Sequence, residues 1–255
     1  MMKYIIVTIL SLNLFACSIL SEPETEKWSA NKIYEEAKDA FAVGDFENAI
    51  RYYELLEARY PFGKYAQQAQ MEIIYSYYKY EEPASAIAAA NLFIKLYPRH
   101  PKVDYAYYLK GLVNFELNHG ALDRFLPVDR SQREQTAAVQ SFQDFSELIA
   151  RFPDSEYSKD ARQRMIHLRN RAAQHELYVA NFYMKREAYL AAANRAKTII
   201  ESYQRTPSIP YALTILARAY KIMGLQELSD SALEVLKLNY PDHPGVAKIE
   251  NLAVR

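Results

Sequence analysis

The chain has 255 residues, half of them hydrophobic, with 31 basic and 31 acidic side chains and a formal charge of zero. That balance argues against a nucleic-acid partner, which calls for a basic excess or stripe, and a single cysteine excludes an intramolecular disulfide. Only 6 residues are glycine and apolar residues recur every three or four positions, so the expectation is an all-α chain of one large or two ordinary domains.

The first segment reads as an export signal. MMKYIIVTILSLNLFACS carries a lysine, an apolar run from Tyr4 to Phe15, and Ala16 before Cys17. The run is too short to span a bilayer, which makes residues 1–16 a signal peptide. LFAC resembles a bacterial lipobox, with Cys17 as the lipidation site and first mature residue. Each buried methylene contributes about 0.8 kcal/mol, so several acyl chains anchor stably where one does not. Ser18 stands where inner-membrane retention signals have Asp, which implies sorting to the outer membrane. Polar residues 17–29 then form a tether.

From residue 30 onward one punctuation recurs: RYPFGKYAQQA, LYPRHPKVDYA, RFPDSEYSKDA and NYPDHPGVAKI each join an aromatic residue to Pro between helical stretches. Pro61 and Pro98 are 37 residues apart, near the 34-residue tetratricopeptide (TPR) period. Repeat one matches that pattern through Ala37, Phe41, Gly44, Ala49, Tyr53 and Pro61. Small residues let paired helices approach, Gly44 supplies a positive φ, and Pro61 stops the second helix. Repeat two keeps Tyr77, Ala86 and Pro98 but has Glu81 at the turn; repeat three has Gly111, Phe145 and Pro153 around an insertion, residues 118–136. Repeat four keeps Ala180, Tyr183, Tyr189, Ala192 and Ala196, with its proline displaced to Pro207. Repeat five keeps Leu216, Ala217, Tyr220, Gly224 and Pro241. The expected architecture is a right-handed superhelical solenoid of five TPR helical hairpins. Residues 30–153 would hold repeats one to three and residues 154–255 repeats four and five, with a long connecting helix from Ser158.

The residue types that mark reaction centres are not arranged as such. There is no Gly-rich phosphate loop, Ser-His-Asp spacing or H-E-x-x-H. His100 and His243 sit in matching hinges, and His167 and His175 read as helix-surface residues, so no metal or cofactor is expected. The chain has 22 tyrosines, many of them in the first helices of repeats one to three. In repeat two, Ile73, Ile74 and Tyr77 mark a packing face, while Met71, Tyr75 and Tyr78 mark another. Tyr34, Lys38 and Phe41 hold the corresponding places in repeat one, and Tyr105, Tyr108 and Phe115 in repeat three. Two readings stay open: the rings fill core between repeats, or they line a groove for an extended peptide. On the second reading Lys38 and Lys79 would receive a carboxylate.

The lipobox, RYPFGKYAQQAQMEIIYSYYK, FLPVDRSQRE in the insertion, and the run from FPDSEYSKDARQRM to AYLAAANR together resemble the BamD (ComL-like) lipoprotein family. That family belongs to the outer-membrane β-barrel assembly machinery, and the likeness runs from Cys17 to about Ala219. The resemblance implies a non-enzymatic scaffold, lipid-anchored on the periplasmic face of a Gram-negative outer membrane, that assembles and inserts β-barrel proteins. The implied partners are the BamA POTRA domain, accessory Bam lipoproteins and nascent outer-membrane β-barrel proteins. It further implies Arg195, in NRAK, at the BamA-facing end, and Tyr60, Phe62 and Tyr65 at the N-terminal groove. The alternative is a TPR lipoprotein serving as pilotin or scaffold for a secretion or pilus system.

Overall fold

The computed structural model describes residues 24–117 and 131–253. The signal peptide, Cys17 and the insertion residues 118–130 lie outside the described residues. Among the described residues every regular element is a helix: a 3-10 turn at Glu24–Lys27 and eleven α-helices. No helix among them is long and apolar enough to cross a membrane. The chain divides into two compact units, residues 1–123 and 124–255, with the boundary inside the insertion. The two helices of the third repeat therefore belong to different units.

Unit one contains α1 (Ala30–Ala42), α2 (Phe46–Arg59), α3 (Lys64–Lys79), α4 (Pro83–Leu96) and α5 (Val103–Leu117). Helices α1 and α2 form the first hairpin, α3 and α4 the second, and α5 packs on both α3 and α4. Ser29 Oγ caps α1 by accepting from Lys32 N, and Asp45 caps α2 by accepting from Asn48 N. The inner core combines Ile33, Ala37, Ala49, Tyr53, Leu56 and Ile73, so small residues alternate with large ones where the helices approach.

Unit two contains α6 (Ser131–Arg151), α7 (Ser158–Lys185), α8 (Tyr189–Ser202), α9 (Ile209–Ile222), α10 (Gln226–Asn239) and α11 (Gly245–Glu250). Between Ser158 and Lys185 the sequence has neither Gly nor Pro, and α7 runs unbroken for 28 residues. Its second half pairs with α8 as repeat four, and α9 pairs with α10 as repeat five. Alanines dominate this interior, with Ala180, Ala192, Ala196, Ala212 and Ala219 fully buried. The all-α fold is thus a set of TPR helical hairpins.

Two local devices repeat along the chain. At four interhelical turns the backbone closes in the same Schellman pattern: Asp45 N to Ala40 O, Glu82 N to Tyr77 O, Ala188 N to Tyr183 O and Leu225 N to Tyr220 O. The pattern needs a left-handed residue, supplied by Gly44 (φ 81°) and Gly224 (φ 76°) but by glutamate at Glu81 and Glu187 (both φ 60°). A Cβ makes that conformation costly, by about 1–2 kcal/mol per residue, so packing of the hairpins imposes it where the sequence does not favour it.

The second device is the aromatic-Pro hinge. Tyr60, Tyr97 and Tyr240 leave the α region with ψ of 65°, 57° and 60°, because the ring of the following proline crowds a helical backbone. Three residues after the aromatic, a polar side chain caps the next turn. His100 Nδ1 accepts from Lys102 N at 3.1 Å, Ser155 Oγ from Tyr157 N at 3.3 Å, and His243 Nδ1 from Gly245 N at 3.1 Å. The acceptor role gives both histidines a structural task in the hinge.

Candidate functional site

The first helices of unit one, α1, α3 and α5, lie side by side, and their side chains meet in two connected groups. Phe41 on α1 packs against Tyr75 on α3 at 5.6 Å between centroids and edge-on to Phe46 at 5.9 Å. Phe46 also meets Tyr75 at 6.1 Å, and Tyr75 meets Tyr78 at 5.9 Å. These four rings form one chain, each partly exposed. Such tilted and edge-on contacts hold rings in fixed orientations while leaving part of each face open.

The second group surrounds Glu72 on α3. Its carboxylate accepts from Tyr53 OH at 2.7 Å, from Tyr34 OH at 3.2 Å and from Lys38 Nζ at 3.0 Å. Burial first, and then the Glu72 carboxylate, push the Tyr34 and Tyr53 hydroxyls well above the usual tyrosine range. Tyr34 packs against Tyr65 in a tilted contact at 5.3 Å between centroids, and the Tyr65 hydroxyl donates to Asn31 Oδ1. Tyr78 OH donates to Glu116 on α5 at 2.6 Å, and Tyr77 OH to Glu54 on α2 at 2.6 Å. Burial, followed by Glu54, raises Tyr77 in the same way. The hydroxyls of Tyr34, Tyr53, Tyr77 and Tyr78 are thus turned to carboxylates of the chain itself.

The structure brings Tyr34, Phe41, Tyr65, Tyr75 and Tyr78 together. Tyr105 and Tyr108 are partly buried on α5, the third helix of the same side. Met71 is only 8% exposed, so it is core and not part of the open face. Tyr60 and Phe62 lie in the hinge between α2 and α3 instead of on the helices. Tyr60 OH donates to Trp28 O at 3.0 Å, clasping the segment before α1, while Phe62 is 90% exposed. Lys38, expected to be available to a ligand carboxylate, is paired with Glu72. Lys79 rests 6.0 Å from the centre of the Tyr78 ring. Phe46, Glu72 and Glu116 were not anticipated, since a glutamate 38 residues from its tyrosine carries no local signal.

In unit two, Arg195 lies on α8 and donates through Nη1 to both oxygens of Glu176 on α7, at 3.1 and 3.4 Å. Glu176 is largely buried and Arg195 about half exposed. The carboxylate therefore holds the guanidinium in place at the surface. No group of three or more potential metal ligands occurs among the described residues.

The family model YfiO, described as "Outer membrane lipoprotein", matches residues 26–236. The chain is 41% identical over 249 residues to "Outer membrane protein assembly factor BamD" of Neisseria gonorrhoeae, covering 95% of this chain and 93% of that protein. The chain belongs to the BamD family. A BamD of Vibrio cholerae is 35% identical over 227 residues, covering 89% of this chain and 93% of its own length. Among solved structures, a thermophilic TPR protein of Thermus thermophilus aligns at a TM-score of 0.41 and 12% identity, over 88% of this chain and 100% of that one, a likeness too loose to carry an argument. Members of the BamD family are outer membrane lipoproteins. Both the aromatic face and the Arg195–Glu176 pair fall inside the matched span, whereas Cys17 precedes it.

Proposed function

We propose that the chain is a non-enzymatic scaffold of the outer-membrane β-barrel assembly machinery, anchored through acylated Cys17. Its aromatic face in unit one takes an extended segment of a barrel precursor, and the end of unit two bearing Arg195 docks a POTRA domain of BamA. Accessory lipoproteins of the machinery are further partners. The observation that carries the reading is the partly exposed ring chain Phe41–Phe46–Tyr75–Tyr78 on neighbouring helices. Rings locked by one another lose little entropy on binding and bury large apolar area, which suits alternate side chains of an extended strand. The relatives' name, an outer membrane protein assembly factor, supports the setting.

Changing Tyr75 and Tyr78 together to Ser is expected to weaken binding of a peptide with an aromatic C-terminus by more than about 1.5 kcal/mol, since buried aromatics dominate such contacts. Unchanged affinity would remove the face from the reading. Arg195→Glu is expected to abolish retention on an immobilised POTRA domain while the helical circular dichroism stays intact. Depletion in the cell is expected to lower outer-membrane β-barrel proteins. Loss of secretion or piliation at constant barrel levels would point to a pilotin instead.

A further inference from the structure

Tyr34 and Lys38 are four residues apart on α1 and so share one side of that helix. Glu72 reaches this side from α3 and takes both of them, together with Tyr53 of α2. The carboxylate is 16% exposed and accepts from three donors, so it cannot be left without a cation at small cost. Lys38 meets that need, although its own side chain is 51% exposed. The two lysines of α3 stand at its ends: Lys64 is 4.7 Å from the centre of the Tyr65 ring and Lys79 is 6.0 Å from that of Tyr78. Between them Tyr75 lies as a partly exposed ring against Phe41, while the Tyr34 and Tyr53 hydroxyls and the Lys38 ammonium are turned to Glu72.

We propose that Glu72 sets the specificity of the aromatic face by occupying Lys38, so that the face reads ring and apolar side chains and does not read a carboxylate. This rests on the peptide-binding reading above and narrows it. A carboxylate laid across the α1–α3 centre would lose water without gaining a free cation, and beside Glu72 it would meet a like charge. An extended aromatic segment is then accepted whether it lies inside a precursor or at its very end. Glu72 acts here as a specificity-determining and positioning residue.

The test uses the full mature chain in detergent and one short alternating apolar peptide ending in Phe, prepared as free acid and as C-terminal amide. The wild-type chain is expected to bind both forms within about twofold, a free-energy difference smaller than one unpaired charge produces. Glu72→Gln frees Lys38 and is expected to favour the free acid by at least about fivefold; adding Lys38→Met should erase that preference. Lys38→Met alone leaves Glu72 bare and is expected to favour the amide, which keeps the question answerable if Glu72→Gln fails to fold. Independently of any peptide, acylation of Lys38 by an amine-reactive ester, followed by mass spectrometry, should be several-fold faster in Glu72→Gln. A wild-type preference for the free acid above about fivefold, or no change in preference and acylation rate in Glu72→Gln, would overturn the inference. Failure of both peptide forms to bind wild type would overturn the peptide-binding reading itself, and this narrowing with it.

Discussion

In unit one, tyrosine hydroxyls donate to glutamates on neighbouring helices: Tyr34 and Tyr53 to Glu72, Tyr77 to Glu54, Tyr78 to Glu116. In unit two the corresponding surfaces meet through alanines, with Ala180, Ala192, Ala196, Ala212 and Ala219 closing the interior around Ile199 and Ile215. The same hairpin skeleton is thus held in two ways. Small residues bring backbones close and stabilise by shape alone, with no directional preference. Tyrosine–glutamate bonds add direction, because each fixes one helix's rotation against the next. Unit one consequently shows a defined face of locked rings. Both units leave single large apolar side chains outside, such as Val43 and Phe62 in unit one and Tyr178 and Leu238 in unit two.

The largest expected break in this contrast comes from a buried ring. Phe93→Ala removes a fully buried side chain that packs on Tyr97 and His100, and should cost about 3–5 kcal/mol. Hydrogen exchange should then show protection lost in α3 and α4 while α8 to α10 keep theirs; equal loss in both units would show that they unfold as one body. Conversely, Ala192→Leu overfills the interior of unit two and should cost about 1–3 kcal/mol in denaturant titration.

A smaller effect sharpens the directional half of the contrast. Tyr53→Phe removes one donor to Glu72 and should cost about 1.5 kcal/mol, as expected for a bond to a charged group. The same hydroxyls predict an alkaline limit. Because folding raises the Tyr34, Tyr53 and Tyr77 hydroxyls, their stabilisation is fully present below the ordinary tyrosine value of about 10 and is lost as pH climbs above it. Unit one should therefore lose protection in hydrogen exchange as pH climbs past that value, and in unit two Tyr203 is raised as well, by burial first and then by Glu176. The smallest effect should be alike in both units. Glu81→Gly and Glu187→Gly relieve the left-handed strain at equivalent turns and should each raise stability by about 0.5–1 kcal/mol.

How legible these features were depends on the range of the forces behind them. The hinges at Tyr60-Pro61, Tyr97-Pro98 and Tyr240-Pro241 act within a few residues, through proline's missing donor and its effect on the residue before it. Tyr75 and Tyr78 were readable as one side of a helix from their spacing, and Phe41 as the corresponding place in the first repeat. Met71 shares that spacing with Tyr75 and Tyr78 yet is buried, because spacing orders residues around a helix without saying how far a neighbour covers them. Lys38 looked available for the same reason, until Glu72 arrived from the next repeat.

The amino-acid order by itself determined the helices, their stops, the repeat period and membership of a TPR family, since prolines, turn residues and a three-to-four-residue apolar period operate locally. Tertiary structure decided which hydroxyl meets which carboxylate, that Glu81 and Glu187 take a backbone conformation better suited to glycine, and that Lys38 is occupied. Those outcomes follow from how each helix is rotated against its neighbour, and that rotation is set by packing between residues distant in the chain.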